Sequence, residues 1–195
     1  MMRKAVSTDP SNKEQYKGFL LYLIDEGVKY FEMLLDRLEE VYSFKIADYL
    51  GYSNTPTKGK FVGLVLISIQ KIFLYLGDLL RYKEQVNETS NYGKCRQWYV
   101  KAHEINPKNG KPYNQLALLA VYARRKLDAV YYYMRSLMSS NPAPSAKESL
   151  NSLFDENRKK VNKRFVTSYL HVHGKLITKI GMERMVSQIR ARSES

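Results

Sequence analysis

Trp98-Tyr99-Val100-Lys101-Ala102-His103-Glu104-Ile105-Asn106-Pro107 and Tyr132-Tyr133-Met134-Arg135-Ser136-Leu137-Met138-Ser139-Ser140-Asn141-Pro142 are two versions of one phrase, an aromatic helix end closed by Asn-Pro. The two prolines stand 35 residues apart, close to the roughly 34-residue period of a repeating helical hairpin. Between them come Tyr113, Leu116, Ala117, Ala120, Ala129 and Tyr133. Small residues let two helix backbones approach, the aromatic rings fill the space beside them, and proline ends the second helix because it cannot continue one. A single hairpin would leave one face bare, so neighbouring helices are needed on either side.

These positions are those of a tetratricopeptide-type (TPR) repeat. An earlier, looser repeat begins near Gly77, and the excess length before Pro107 falls in residues 83–89, which read as a helix extension or a longer turn. Outward from the repeat, residues 16–41 carry apolar side chains at Phe19, Leu20, Leu23, Ile24, Tyr30, Phe31, Leu34, Leu35 and Leu38, the three-and-four spacing of one helical face. Residues 51–60, with Ser53, Asn54, Pro56 and Gly59, are turn chemistry. A second helix over 61–85 is apolar nearly all round and so belongs in the centre of the fold; its run is broken by Gln70 and Lys71 and reads as a buried helix, not a membrane span. Ser145 and Glu148 form a capping-box pattern opening a helix at 146–154. A basic stretch at 157–164 precedes a last helix at 165–185. No segment sustains the period-two alternation of strands, and the expectation is an all-α fold of stacked antiparallel hairpins. The expected organisation is an N-terminal segment 1–15, disordered or partly ordered, a helical domain 16–185 with a shortened loop at 157–163, and a flexible tail 186–195.

With 195 residues and 44% hydrophobic content, the chain can bury one ordinary core. Its single cysteine, Cys95, excludes an internal disulfide, and residues 1–10 are polar without an apolar leader, which points to a cytoplasmic and nuclear setting. The net charge of +13 calls for an anionic partner: nucleic acid, an acidic membrane, or a phosphorylated or acidic peptide. Chemistry is sparse. His171 and His173 stand at i and i+2, which face different ways on a helix, and the remaining histidine is His103; no zinc site or other metal site is expected, and no cofactor. Phosphate-binding glycine loops, nucleophile elbows and the clustered carboxylates of a metal nuclease are all missing from the sequence, so the expectation is a binding module and no enzyme.

One constellation stands out. Gln70, Leu74, Gly77 and Arg81 share a helix face, so that Arg81 follows one turn after a glycine that thins the wall. The planar fork of an arginine suits a phosphate, and Tyr82 beside it offers a hydroxyl. The competing reading is that Arg81 pairs with Asp78 or Glu84 on the surface.

Gly77-Asp78-Leu79-Leu80-Arg81-Tyr82 is similar to the GDxxRY element of 14-3-3 proteins, whose arginine and tyrosine hold the ligand phosphate. The segments 91–94, 98–102 and 105–117 resemble the Est/SMG family of telomerase-binding and nonsense-mediated mRNA decay factors. Segments 124–137, 146–150, 173–176 and 180–183 resemble most closely its endonuclease-bearing member. The resemblance implies a 14-3-3-like fold with TPR helices and a module recruited to a phosphorylated RNA helicase of the decay pathway. It implies that Arg81 and Tyr82 hold the phosphate and that Asn114 steadies the ligand backbone; Lys71 joins them as a basic residue on the same helix. The family's other phosphate-holding basic residue lies ahead of the segment matching 16–38, its long polar insertion falls near 157–161, and its nuclease domain has no counterpart in this sequence. Nucleic acid or telomerase components are the alternative partners, and no membrane is expected.

Overall fold

The computed structural model describes residues 10–51, 61–158, 169–170 and 172–174. Six α-helices follow one another in the described residues: α1 (Pro10–Val41), α2 (Val62–Val86), α3 (Gly93–Ile105), α4 (Gly110–Tyr122), α5 (Lys126–Leu137) and α6 (Ala146–Arg158). A short 3-10 turn, Ile46–Tyr49, follows α1. The all-α expectation holds, the one sheet-like feature among these residues being an isolated bridge between Asn109 and Asn141. Helix α1 begins at Pro10, ahead of the apolar pattern, because polar residues extend a helix freely once its later turns are packed. Residues 83–89, expected as either a helix extension or a longer turn, contain both: α2 runs on to Val86, and a turn follows in which Glu88 takes a positive φ of 56°. The expected turn at 52–60, the loop beyond 158, most of the last helix and both termini lie outside the described residues.

Each helix packs chiefly on its chain neighbours, as a stack of hairpins requires. Two apolar clusters result. The first joins α1, α2, α3 and α4 around Leu35, Ile69, Phe73, Leu76, Tyr99 and Leu116; the second joins α4, α5 and α6 around Ala117, Ala129, Tyr133, Leu150 and Phe154. Helix α2 is the one described helix long and apolar enough to cross a bilayer, but half of its apolar stretch is buried against its neighbours, with Ile69 and Leu76 fully enclosed. The repeat reading holds side chain by side chain: Tyr113, Leu116, Ala117, Ala120, Ala129 and Tyr133 are all buried.

Polar side chains lock the corners. Gln70, fully buried in α2, donates to the carbonyls of Ala102 (2.7 Å) and Asn106 (3.1 Å) at the end of α3, and accepts from Asn109 Nδ2 (2.8 Å). Asn109 in turn caps α4, its side chain accepting from the Lys111 backbone N–H at 3.0 Å. The start of α4 is tied across to the end of the repeat: the Gly110 N–H donates to the Asn141 carbonyl (2.8 Å), the Asn141 N–H to the Lys108 carbonyl (3.0 Å), and the Ser136 hydroxyl to the Gly110 carbonyl (2.8 Å). A side chain at Gly110 would meet the Ser136 carbonyl at 2.6 Å, so glycine is what lets the two Asn-Pro corners touch.

Candidate functional site

The α3–α4 corner and the face of α2 that it grips form the walls of a groove of about 800 Å³. Its floor and one wall come from Gln70, Lys71, Leu74 and Asp78 of α2; the opposite side comes from the corner (Asn109, Lys111), from Asn114 and Gln115 of α4, and from residues 140–145 after α5. Gln70 meets Asn109 at one end, and Gln115 Nε2 meets Asp78 Oδ1 at 3.2 Å at the other, so α2 and α4 run alongside each other in the same sense. Lys71, Lys108 and Lys111 all line the groove, all are exposed, and none has an ion-pair partner among the described residues. One carboxylate, Asp78, shares the lining, so the groove carries a net charge of +2, three lysines less one aspartate.

Asp78 Oδ1 is where three helices converge. It accepts from Tyr99 Oη of α3 (2.7 Å), Arg81 Nη2 of α2 (3.0 Å) and Gln115 Nε2 of α4 (3.2 Å). Arg81 also donates from Nε to Tyr99 Oη at 3.3 Å, and its guanidinium lies 4.3 Å from the centre of the Tyr82 ring. Burial works against the charge on Arg81, but its hydrogen bonds to Tyr99, Tyr82 and Asp78 outweigh that cost and hold its pKa above the ordinary arginine value. Tyr99 is pushed well above the usual phenol range, first by burial and then by the Asp78 carboxylate, so it stays a donor to that carboxylate.

The four residues singled out in the sequence therefore separate into two pairs. Lys71 and Asn114 come together in the groove. Arg81 does not open onto it: only 7% exposed, it sits behind Asp78 and is paired with it. The expectation of a guanidinium emerging on the inner face is thus corrected, because the thin wall at Gly77 is filled by the ring of Tyr99, which draws Arg81 and Asp78 inward. The competing reading, a pair with Asp78, is what the structure contains, in the interior and not on the surface. Tyr82 is about half exposed and faces a separate apolar cleft with Leu20, Leu23 and Ile24 of α1. The sequence marked Gln70 only as a neighbour on the Arg81 face and Asp78 only as a possible partner of Arg81, and it did not mark Lys108 and Lys111; the run Pro107-Lys108-Asn109-Gly110-Lys111, two lysines around a capping asparagine between helices, was the available signal for the last two.

Asn114 Oδ1 is enclosed and accepts no hydrogen bond from the described residues, which leaves it an open acceptor among them at the groove wall. Among the described residues no group of histidine, cysteine and carboxylate side chains is arranged to hold a metal. His103 is half-buried and stacked on Tyr113 at 5.2 Å between ring centres, with its pKa lowered by burial; His173 bonds the Tyr169 carbonyl one turn back. These arrangements equip the chain to hold an extended anionic ligand, with cations along the groove and a buried acceptor for a backbone N–H.

Residues 95–191 match the family described as the Est1 DNA/RNA binding domain. The chain is 39% identical over 242 residues to the telomerase-binding protein EST1A of Danio rerio, an alignment taking in 87% of this chain and 16% of that protein. It is 29% identical over 167 residues to the nonsense-mediated mRNA decay factor SMG7 of Arabidopsis thaliana, covering 80% of this chain and 15% of that one. Among solved structures, a chain of the C. elegans SMG5-SMG7 complex superposes with a TM-score of 0.53 at 22% identity, over 89% of this chain and 50% of that one, a likeness of fold. The chain thus spans about one sixth of the length of these curated relatives.

Proposed function

Because the chain belongs to the Est/SMG family of telomerase-binding and nonsense-mediated mRNA decay factors, we propose that it is a peptide-binding adaptor module that recruits its protein to a phosphorylated RNA helicase of the decay pathway, in the cytoplasm and nucleus. The observation that carries this reading is the groove itself: a net positive trough whose three ammonium groups, and one buried acceptor at Asn114, have no partner among the described residues. A peptide laid along α2 would give its backbone N–H to Asn114 Oδ1 and its phosphate to the end of the groove where Asp78 and Arg81 meet. Arg81 is enclosed behind Asp78, so it reaches the phosphate only by leaving that carboxylate and turning toward the groove, where its planar donors replace the Asp78 pair with a phosphate pair. Lys71 faces the ligand directly. The role is binding, with no reaction attached to it.

A second reading draws on the description of the matched family and on the net charge of +13, namely that the same chain holds single-stranded nucleic acid, in telomerase or decay particles. Titration of one labelled phosphopeptide, its unphosphorylated twin and a single-stranded oligonucleotide at two salt concentrations separates the two. The adaptor reading expects a strong preference for the phosphopeptide that survives moderate salt. The nucleic-acid reading expects tight oligonucleotide binding that falls steeply with salt and no preference between the peptides.

A further inference from the structure

We propose that the groove holds two anion subsites, and that Lys71, Lys108 and Lys111 form the second, which selects a ligand carrying an acidic group about four residues from its phosphorylated residue. This rests on the phosphopeptide reading for the first subsite, at Asp78 and Arg81. The second is fixed by the architecture. Gln70 bonds Asn109 at 2.8 Å, which places the lysines of the α3–α4 corner level with Gln70 and its neighbour Lys71, while Asp78 lies eight residues beyond Gln70 along α2. At about 1.5 Å per residue that separates the two ends by roughly 12 Å, and an extended peptide covers this in about four residues.

Chemistry argues for a dedicated anion site here. Exposed lysines ordinarily find a carboxylate or repel one another, yet these three line one groove and none is paired among the described residues. Among the described residues the sole acidic side chain in the lining, Asp78, stands at the far end and is already engaged by three donors. The corner that carries Lys108 and Lys111 is also pinned, by the Asn109 cap and by the paired backbone bonds to Asn141, so the two charges are presented from a fixed backbone. A carboxylate or a second phosphate satisfies the site equally in kind, the phosphate more strongly.

The test uses fluorescence anisotropy with labelled peptides that carry one phosphoserine. One has neutral flanks; others have a glutamate, or a second phosphoserine, four residues to either side; unphosphorylated versions complete the set. A glutamate on one side only is expected to tighten binding about three- to tenfold, the range of a few partly exposed charge pairs, and the second phosphate more. The double variant K108A/K111A is expected to lose that gain while keeping the preference for phosphorylated over plain peptide, and K13A, on α1 away from the groove, to keep both. Equal affinity whatever the position of the acid, or loss of the gain in K13A as well, overturns the second subsite and leaves the first standing. Acid-dependent binding that needs Lys108 and Lys111 but ignores phosphorylation upholds the second subsite and removes the first. Absence of binding to every peptide removes both.

Discussion

The ring of Tyr99 lies directly over the α-carbon of Gly77, so close that a methyl group added there would meet ring atom Cε1 at 2.3 Å. This contact sets the spacing of α2 and α3 and carries the Tyr99 hydroxyl to Asp78, the residue on which three helices converge. The groove exists in its present form because a glycine occurs at that turn.

Replacing Gly77 with alanine should therefore destabilise the protein. The clashing ring is fully buried and hydrogen-bonded, so it cannot swing aside cheaply, and overpacking of this kind costs about 1–3 kcal/mol. Gly18 of α1 is the counterpart, exposed and with nothing within 4 Å of an added methyl; its alanine variant should gain about 0.5–1 kcal/mol from helix propensity alone. Thermal unfolding followed by circular dichroism measures both, and a neutral Gly77→Ala would show that the helices adjust their spacing freely.

Asp78→Asn tests whether the carboxylate competes with a ligand for Arg81. Asparagine keeps an acceptor for Tyr99 and Gln115 but leaves the guanidinium without its counter-charge. For a pair in which the Asp78 side chain is still 26% exposed, the cost should be about 1–2 kcal/mol, below that of breaking a fully buried pair. Stability should fall while affinity for a phosphopeptide rises. Urea unfolding and peptide titration on the same variant check this; affinity that drops along with stability would mean that Asp78 positions Arg81 and does not compete for it.

Cys95 provides a readout of the core that involves no ligand. It is fully enclosed between α2, α3 and α4, and burial pushes its thiol up to about 11 from the usual value near 9. The thiol is neutral in the folded protein below that range, so the unfolded chain releases its proton first as pH rises. The stability linked to this group is intact below about pH 9 and is lost between about pH 9 and pH 11. Thiol-reactive probes at pH 8 should leave the folded protein unmodified and label it only on unfolding. Rapid labelling under native conditions would show that α3 opens away from α2.

The fold was readable because its signals are local. The Asn-Pro corners, the alanines at 117, 120 and 129, and the aromatic pair Tyr113 and Tyr133 each act within one hairpin, where spacing along the chain translates directly into packing. Lys71, chosen from its place on α2, and Asn114, which only the family resemblance supplied, lie together in one groove. Arg81 was placed on the correct helix face but at the wrong depth. Helix periodicity shows which way a side chain leaves α2 and says nothing of Tyr99, eighteen residues later, whose hydroxyl draws Arg81 and Asp78 inward. Gln70 teaches the same lesson. A glutamine interrupting an apolar run resembles a surface residue until the Ala102 and Asn106 carbonyls and Asn109 arrive to satisfy it.

The claim on which everything else depends is that the trough between α2 and α4 discriminates a phosphorylated peptide from its plain twin through its own cations. The most direct measurement is the ratio of the two affinities for the unaltered chain and for Arg81→Lys, which keeps a positive charge beside Asp78 but loses the planar fork. The account predicts at least a tenfold preference for the phosphopeptide in the unaltered chain, falling towards unity in a variant that thermal unfolding shows to be folded. A ratio near one in the unaltered chain, or a preference that folded Arg81→Lys leaves unchanged, contradicts it.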